Sequence, residues 1–394
     1  MNDFQRVLAS LVRRSEPCVL ATVVRTQGST YRKTGARMLI YADGTSVGAV
    51  SGGCLENDIV ERSHQVLHSG VPKLLRYDTR STPDDLVFGM AIGCQGITTV
   101  FLERLQGIHD PICAFVQEGL ARREQRLLAT VYDVHQPKKH EALDGYHMFF
   151  YPEHTVEDNL GESAFACELR HHIWNTASSH TEEALVAPIR GTFRSTLGRA
   201  AYIVEPIRLP YELLIIGAGY DALPLVHYAL VLGWRITVLD HRPALLEPQR
   251  FTQVPAQTSY FPPTLLFVTR ETIAHTVRHV IQERAPTRNI AVVLMTHNLL
   301  LDAAALSAVV HFDVGYIGLL GPKKRLLSVL DALHHQGTSI DEETLHRIHS
   351  PIGLDIGSDT PEEIALAITA EIQAVMHARS GGFLKHRRRA HLHS

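Results

Sequence analysis

The chain has 394 residues, 45% hydrophobic and 20% charged, which is ordinary for soluble globular domains and long enough for two or three of them. Its 38 Lys and Arg against 41 Asp and Glu leave a formal charge of −3, so no global field draws it toward nucleic acid or an anionic membrane. Five cysteines, Cys18, Cys54, Cys94, Cys113 and Cys167, form an odd set without a C-x-x-C pair, which argues against a disulfide framework and a cysteine-rich zinc site. Met1 to Arg6 carry acid and base where a signal peptide is apolar, and no run has the length of a bilayer span, so a reducing cytoplasm is the expected location.

Phe4 to Arg13 predict a short helix, and Cys18 to Val24, rich in β-branched residues, a strand. Arg25 to Arg37 are too polar and too punctuated by Gly28 and Gly35 for regular structure, and are expected to form a loop loaded with donors. Met38 to Tyr41 and Val47 to Val50, about the Asp43-Gly44 turn, predict a hairpin, after which Gly52-Gly53 lead into a helix from about Leu55 to His68. Strands at Leu74 to Tyr77 and Ile97 to Leu102 complete a first domain, residues 1–105, of expected α+β type. Over 106–206 the pattern thins to strands at Leu127 to Val134 and Tyr146 to Tyr151 and a helix at Ala164 to Trp174, expected as a connecting subdomain.

A third region, 207–380, opens with the apolar strand Leu213 to Ile216, a glycine turn, a helix and a second strand at Arg235 to Leu239. The apolar runs Leu265 to Val268 and Ile290 to Met295 predict further buried parallel strands. The expected fold class is therefore α/β: an N-terminal α+β domain followed by a Rossmann-like, doubly wound parallel sheet. Its last helix, Pro361 to Met376, carries its own start signals, with Thr360 as N-cap, Pro361 in the first turn, and Glu362 and Glu363 at the positive end of the dipole. Residues 381–394 read as a disordered basic tail.

Two thiols sit among glycines, in Ser51-Gly52-Gly53-Cys54-Leu55-Glu56 and in Ile92-Gly93-Cys94-Gln95-Gly96. Glycines let a ligand approach backbone N–H groups, and a cysteine at a helix start has its thiolate favoured by the dipole, so Cys54 and Cys94 are the candidate soft metal ligands or sulfur carriers. Glu56 is either part of that site or a first-turn helix acid. The other three cysteines read as small buried hydrophobes. Between Gly28 and Arg37, the hydroxyls of Ser29, Thr30 and Thr34 beside Arg32, Lys33 and Arg37 suit a phosphate-bearing ligand; the alternative is a solvated basic loop.

Gly217-Ala218-Gly219-Tyr220-Asp221-Ala222 follows a strand and opens a helix, and Asp240 ends the next strand 23 residues after Gly217. That is the context of a dinucleotide fingerprint: Gly217 for the tight turn, Gly219 for approach of a pyrophosphate, Asp240 for ribose hydroxyls, with His241 and Arg242 leaving NAD against NADP open. The alternative is a scaffold that retains the fold without the dinucleotide. Asp221 would repel phosphates unless it points away. His297, after a parallel strand, stands where such folds place ligand groups, and the Gly318 to Arg325 turn, with Gly321, offers backbone and lysines to an anion. P-loop, H-E-x-x-H and G-x-S-x-G patterns are absent.

Taken together these segments resemble the XdhC/CoxI family, accessory proteins of molybdenum hydroxylases. Gly28, Ser29, Arg32, Gly35, Ala36, Arg37 and Met38 leading to Ser51 through Glu56 match its N-terminal pattern, and Gly217 to Pro224 with Asp240 to Pro243 resemble one branch of it. Where another branch has histidine after Gly-Ala-Gly this chain has Tyr220, so a role attached to that histidine does not carry over. The resemblance implies a non-catalytic maturation factor that binds molybdenum cofactor (molybdopterin), protects it during sulfuration and delivers it to a xanthine or CO dehydrogenase-type hydroxylase. Implied partners are that hydroxylase, a cysteine desulfurase and a second copy of the chain, with no nucleic acid or membrane. The candidate cofactor-binding residues, from the motifs and the resemblance together and for molybdenum cofactor or NAD(P), are Gly28, Ser29, Arg32, Arg37, Gly52, Gly53, Cys54, Glu56, Gly93, Cys94, Gly217, Gly219, Asp240, His297, Gly318 and Gly321. The competing reading is an NAD(P)-dependent oxidoreductase with His297 as its acid/base group.

Overall fold

A computed structural model of the protein describes residues 3–80, 96–136, 145–152, 155–179, 187–251, 260–284 and 286–386. The expected basic tail beyond His386, and Gly93 with Cys94, lie outside the described residues. The chain forms two compact units, Asn2–Leu209 and Pro210–Ser394.

The first unit contains two antiparallel sheets. One is built from β1 (Cys18–Gly28), β2 (Arg37–Ile40), β3 (Ser46–Gly48), β4 (Lys73–Asp78) and β5 (Gly96–Leu105) in the order β3-β2-β1-β5-β4. Helix α1 (Asp3–Arg13) precedes it and α2 (Glu56–Ser69) lies between β3 and β4. The other sheet, from β6 (Arg126–His135), β7 (Tyr146–Phe150), β8 (Val156–Asp158), β9 (Ile189–Ser195) and β10 (Gly198–Ile207), has the order β8-β7-β6-β10-β9. Helix α3 (Pro111–Arg122) starts on an Asp110 cap that accepts the Ile112 N–H, and α4 (Ala164–Ser178) on a Ser163 cap that accepts that of Ala166.

Alternation along the strands decides the layering. Val19, Ala21 and Val23 point with Ile59 and Val66 of α2 into one core, and Ala129, Val131 and Val204 with Leu169 and Ile173 of α4 into another. The opposite faces meet through Val24, Phe101, Tyr132 and Ile203. Buried charges also bridge this interlayer: Arg37 pairs with Glu205, and His147 Nε2 lies 2.7 Å from Glu103. Strand β1 is longer than its β-branched run suggested, because Arg25 to Gly28 keep pairing with β5 as far as Gly28 opposite Gly96.

The second unit carries β11 (Glu212–Ile216), β12 (Arg235–Asp240), β13 (Thr264–Phe267), β14 (Ile290–Leu294), β15 (Tyr316–Leu319) and β16 (Ile348–His349). They form one parallel sheet, β13-β12-β11-β14-β15-β16, which is the doubly wound 3-2-1-4-5-6 order. Leu214 and Ile216 face a core shared with α6 (Ile273–Gln282), α7 (Leu299–Val309) and α8 (Lys323–His335). Leu213 and Ile215 face α5 (Ala222–Leu232) and α10 (Pro361–Met376) across the sheet. A short α9 (Glu342–His346) precedes β16. Helix α10 begins on a capping box in which Thr360 and Glu363 satisfy each other's backbone N–H groups. No helix among the described residues is long and apolar enough to cross a membrane.

Candidate functional site

The turn between β3 and α2 is organised by Ser51, a buried residue. Its hydroxyl accepts the N–H groups of Gly53 and Leu55, each at 3.2 Å, and donates to the Glu56 carboxylate. Glu56 also accepts the Ser51 N–H at 2.8 Å and the Leu55 N–H at 3.2 Å. Burial pushes the Glu56 pKa up, but the hydrogen bonds from Ser51 and the backbone outweigh it and hold the carboxyl below its ordinary range. Glu56 is therefore a brace of the turn rather than a ligand aimed outward.

That bracing displays Cys54. The residue is exposed, its Sγ lies 3.6 Å from the Ser51 hydroxyl, and the N–H groups of Gly52 and Cys54 find no acceptor among the described residues. Gly53 takes φ +107°, a conformation that resists side chains, and a Cβ placed there would meet nothing within 4 Å. On the other side, a Cβ on Gly52 would lie 3.4 Å from the ring of Tyr31, itself 70% exposed. Thiol, free N–H groups and aromatic ring thus share one open turn. By contrast Cys18 and Cys113 are buried, burial and then Asp110 pushing the Cys18 thiol up to about 12 and the Cys113 thiol up as well, whereas Cys167, expected to be buried with them, is exposed on its helix.

The loop from Gly28 to Arg37 departs from expectation. Arg37 is 3% exposed: it pairs with Glu205 in the interlayer, donates to the Gly35 carbonyl at 2.8 Å and lies over the Phe4 ring at 3.8 Å. Arg32 is bound to Asp3 at 2.5 Å. Expected as the grip on a phosphate, these two guanidiniums each meet a carboxylate of the fold, Arg37 in the buried interlayer and Arg32 at a partly exposed pair. Gly28 ends the β1 pairing with β5, and Ser29 follows it exposed.

A different set of arginines remains open. Where the two antiparallel sheets part, Arg25 and Arg76 of one and Arg190, Arg194 and Arg199 of the other line a cleft of about 760 Å³. Sequence reasoning missed it because its residues come from β1, β4, β9 and β10. The alternation Arg190-x-x-x-Arg194 about a turn to Arg199 is the one local signal that points there.

In the second unit the switch point between β11 and β14 brings together Gly217, Gly219, Asp221 and His297. Gly217 has φ +119°, and a Cβ there would fall 2.4 Å from the Met295 carbonyl, so the turn after β11 can pass β14 only without a side chain. Gly219 is open, with the His297 ring at 3.9 Å from the position of a Cβ. His297 is 60% exposed with φ +58°, and its Nε2 lies 3.2 Å from Asp221, whose carboxylate is drawn to that imidazole.

Asp240, expected on ribose hydroxyls, faces the other way. It is 2% exposed, one oxygen accepting from the Ala218 N–H at 2.6 Å and the Arg242 guanidinium at 2.8 Å, the other from the Arg242 N–H and Nε. Burial raises its pKa, but Arg242 and the backbone donors outweigh that and hold it below its ordinary value. Its lone pairs are engaged by the Ala218 N–H and by Arg242, where the fingerprint predicts ribose hydroxyls. Gly318 is likewise no part of an anion turn: it lies within β15, where a Cβ would strike Ile352 at 2.3 Å. Gly321 does lie in the following turn, against Arg325, but that arginine is paired with buried Asp302 at 2.5 Å. No cluster of three or more His, Cys, Asp or Glu able to hold a metal occurs among the described residues.

Comparison with known proteins follows the same two blocks. The pattern of the XdhC Rossmann domain matches residues 213–372, and that of the XdhC and CoxI family matches residues 11–78, the Ser51 to Glu56 turn included. A probable xanthine dehydrogenase subunit of Bacillus subtilis is 29% identical over 380 residues, 94% of this chain and 97% of that protein. The molybdenum cofactor insertion chaperone PaoD of Escherichia coli is 34% identical over 108 residues, 27% of this chain and 31% of that protein. The crystal structure of a xanthine dehydrogenase from Bacillus halodurans is similar with a TM-score of 0.68 and 25% identity, covering 96% of this chain and 97% of that one. With both patterns met in order along one chain, the protein belongs to the XdhC and CoxI family.

Proposed function

We propose that the protein is an accessory factor of a xanthine dehydrogenase-type molybdenum hydroxylase, one that takes molybdenum cofactor as cargo, shields it while it is sulfurated, and hands it on. The observation that carries this reading is the Cys54 turn: an exposed soft ligand beside unpartnered N–H groups and an aromatic face. A single thiol with no cluster of hard ligands among the described residues suits a metal that arrives already chelated and must leave again. Support comes from the relatives whose names speak of xanthine dehydrogenase and of molybdenum cofactor insertion. The cargo brings a molybdenum centre that accepts sulfur; the chain supplies the Cys54 Sγ and the turn's N–H donors, and Cys94, which lies outside the described residues, is the second candidate thiol. A cysteine desulfurase and a second copy of the chain are the further partners in this scheme.

The NAD(P)-dependent oxidoreductase reading draws less support, since the acid it needs for ribose is engaged by Ala218 and Arg242. The deciding experiment is metal and pterin analysis of full-length protein purified from cells that make the cofactor. Wild type is expected to carry both, with loss in Cys54→Ala and in Cys94→Ala; equal content in both variants would remove the thiols from the site. Calorimetric titration with NAD(H) and NADP(H) separates the alternative, which requires saturable binding and turnover.

A further inference from the structure

We infer that the arginine cleft between the two antiparallel sheets binds a phosphorylated small molecule carrying at least two negative charges, a site independent of the Cys54 turn. Arg25 and Arg76 both stand opposite Thr99, one from β1 and one from β4, so they flank β5 at the same level. Two strand spacings separate them, roughly 10 Å. On the facing sheet Arg194 of β9 is directly opposite Arg199 of β10, and Arg190 is on the same face of β9, four residues before Arg194.

Like charges directly opposite in an antiparallel pair destabilise a sheet, so this arrangement calls for a compensating anion. No ion pair within the described residues supplies it: Arg25, Arg76, Arg190, Arg194 and Arg199 form none, Asp78 acts on Arg76 only through space, and Asp133, 2.8 Å from the His135 ring, is a single carboxylate on the cleft wall against five guanidiniums. Arg190 donates to the Thr26 carbonyl at 3.0 Å, which orients the guanidinium without cancelling its charge. Elsewhere in the unit the arginines at 14, 32, 37, 62, 80, 122, 126 and 170 are all matched to carboxylates. Five guanidiniums without an ion pair thus gather in one concavity of a chain of net charge −3.

Guanidinium forks fit phosphate oxygens bidentately, and a cleft of about 760 Å³ is in the range of sites for whole small molecules, larger than an inorganic anion needs. The hydroxyls and amide of Thr26, Gln27 and Thr192 line the same cleft and offer neutral hydrogen bonds to the rest of such a molecule. The ligand class that uses both features is a nucleotide-sized organic phosphate.

Calorimetric titration of the full-length chain at low ionic strength with ADP, and with inorganic pyrophosphate, tests this. Saturable binding of ADP at least as tight as that of pyrophosphate is expected, weakening as salt rises. Arg194→Gln with Arg199→Gln, and Arg25→Gln with Arg76→Gln, should each weaken it by about tenfold or more, the doubly lysine-substituted pairs less. Arg122→Gln, an exposed and paired arginine, and Cys54→Ala should bind as wild type. Thermal unfolding of the ligand-free Arg194→Gln with Arg199→Gln variant should occur no lower than in wild type, because their cross-strand repulsion is removed. Absence of saturable ADP binding, unchanged affinity in the glutamine variants, or a clear loss of thermal stability in that pair would overturn the assignment. So would displacement of ADP by a single-stranded oligonucleotide at lower concentration than by pyrophosphate, which would make the cleft a nucleic-acid groove.

Discussion

Two groups of arginines in residues 2–209 look alike in the sequence and differ in the fold. Arg32 and Arg37, in the basic loop before β2, are met by Asp3 and Glu205; Arg25, Arg76, Arg190, Arg194 and Arg199, scattered over four strands, form no ion pair among the described residues. The partner of Arg37 is 168 residues away, and that of Arg32 is 29 residues before it on α1. Density of positive charge along the chain therefore says little about where positive charge is available. Availability depends on which acids the topology delivers to the same place.

The sharpest way to break this comparison is Arg37→Met. It strands the Glu205 carboxylate in the interlayer and is expected to cost about 3–5 kcal/mol in denaturant unfolding, with most of the loss recovered by adding Glu205→Leu. A neutral Arg37→Met would mean that the guanidinium is free for a ligand after all. The other interlayer pair predicts a pH dependence. Burial lowers the His147 pKa, but Glu103 opposes it by charge and hydrogen bond and the net shift is upward from 6.5. The pair's contribution is thus fully present below pH 6.5 and is lost as pH rises through the raised folded value. Unfolding free energy measured across that range should fall with rising pH, and His147→Gln should flatten the slope.

Smaller effects sharpen the contrast. Arg32→Gln, breaking a partly exposed pair, should cost about 0.2–1 kcal/mol. Arg194→Gln should have the opposite sign, a gain of about 0.2 kcal/mol or more, because it removes the cross-strand repulsion with Arg199. Equal losses from the two substitutions would erase the distinction between matched and unmatched arginines.

The same contrast marks how much was legible in the chain. In the second unit, apolar runs such as Leu213 to Ile216, the Gly217 turn and the Thr360 cap specify parallel strands and helix starts from neighbours in sequence, and the sheet order follows. The switch-point cluster of Gly219, Asp221 and His297 was visible for the same reason, since strand ends are fixed by the strands. The role of Asp240 was not, because a fingerprint acid looks the same whether it faces a ribose or accepts from Ala218 and Arg242. Gly318 reads as a turn residue until Ile352 is found packed over it. Helix α3 was passed over although Asp110 and Pro111 spell its start, and β9 escaped notice because its apolar and polar residues alternate too weakly.

By itself the sequence determined the doubly wound sheet of the second unit and the glycine turn that carries Cys54, since each rests on short-range periodicity, capping and backbone freedom. Only the tertiary structure decided which charges stay open. An ion pair such as Arg37 with Glu205 is made by packing two sheets whose strands are far apart in the chain, and the arginine cleft opens where those sheets diverge.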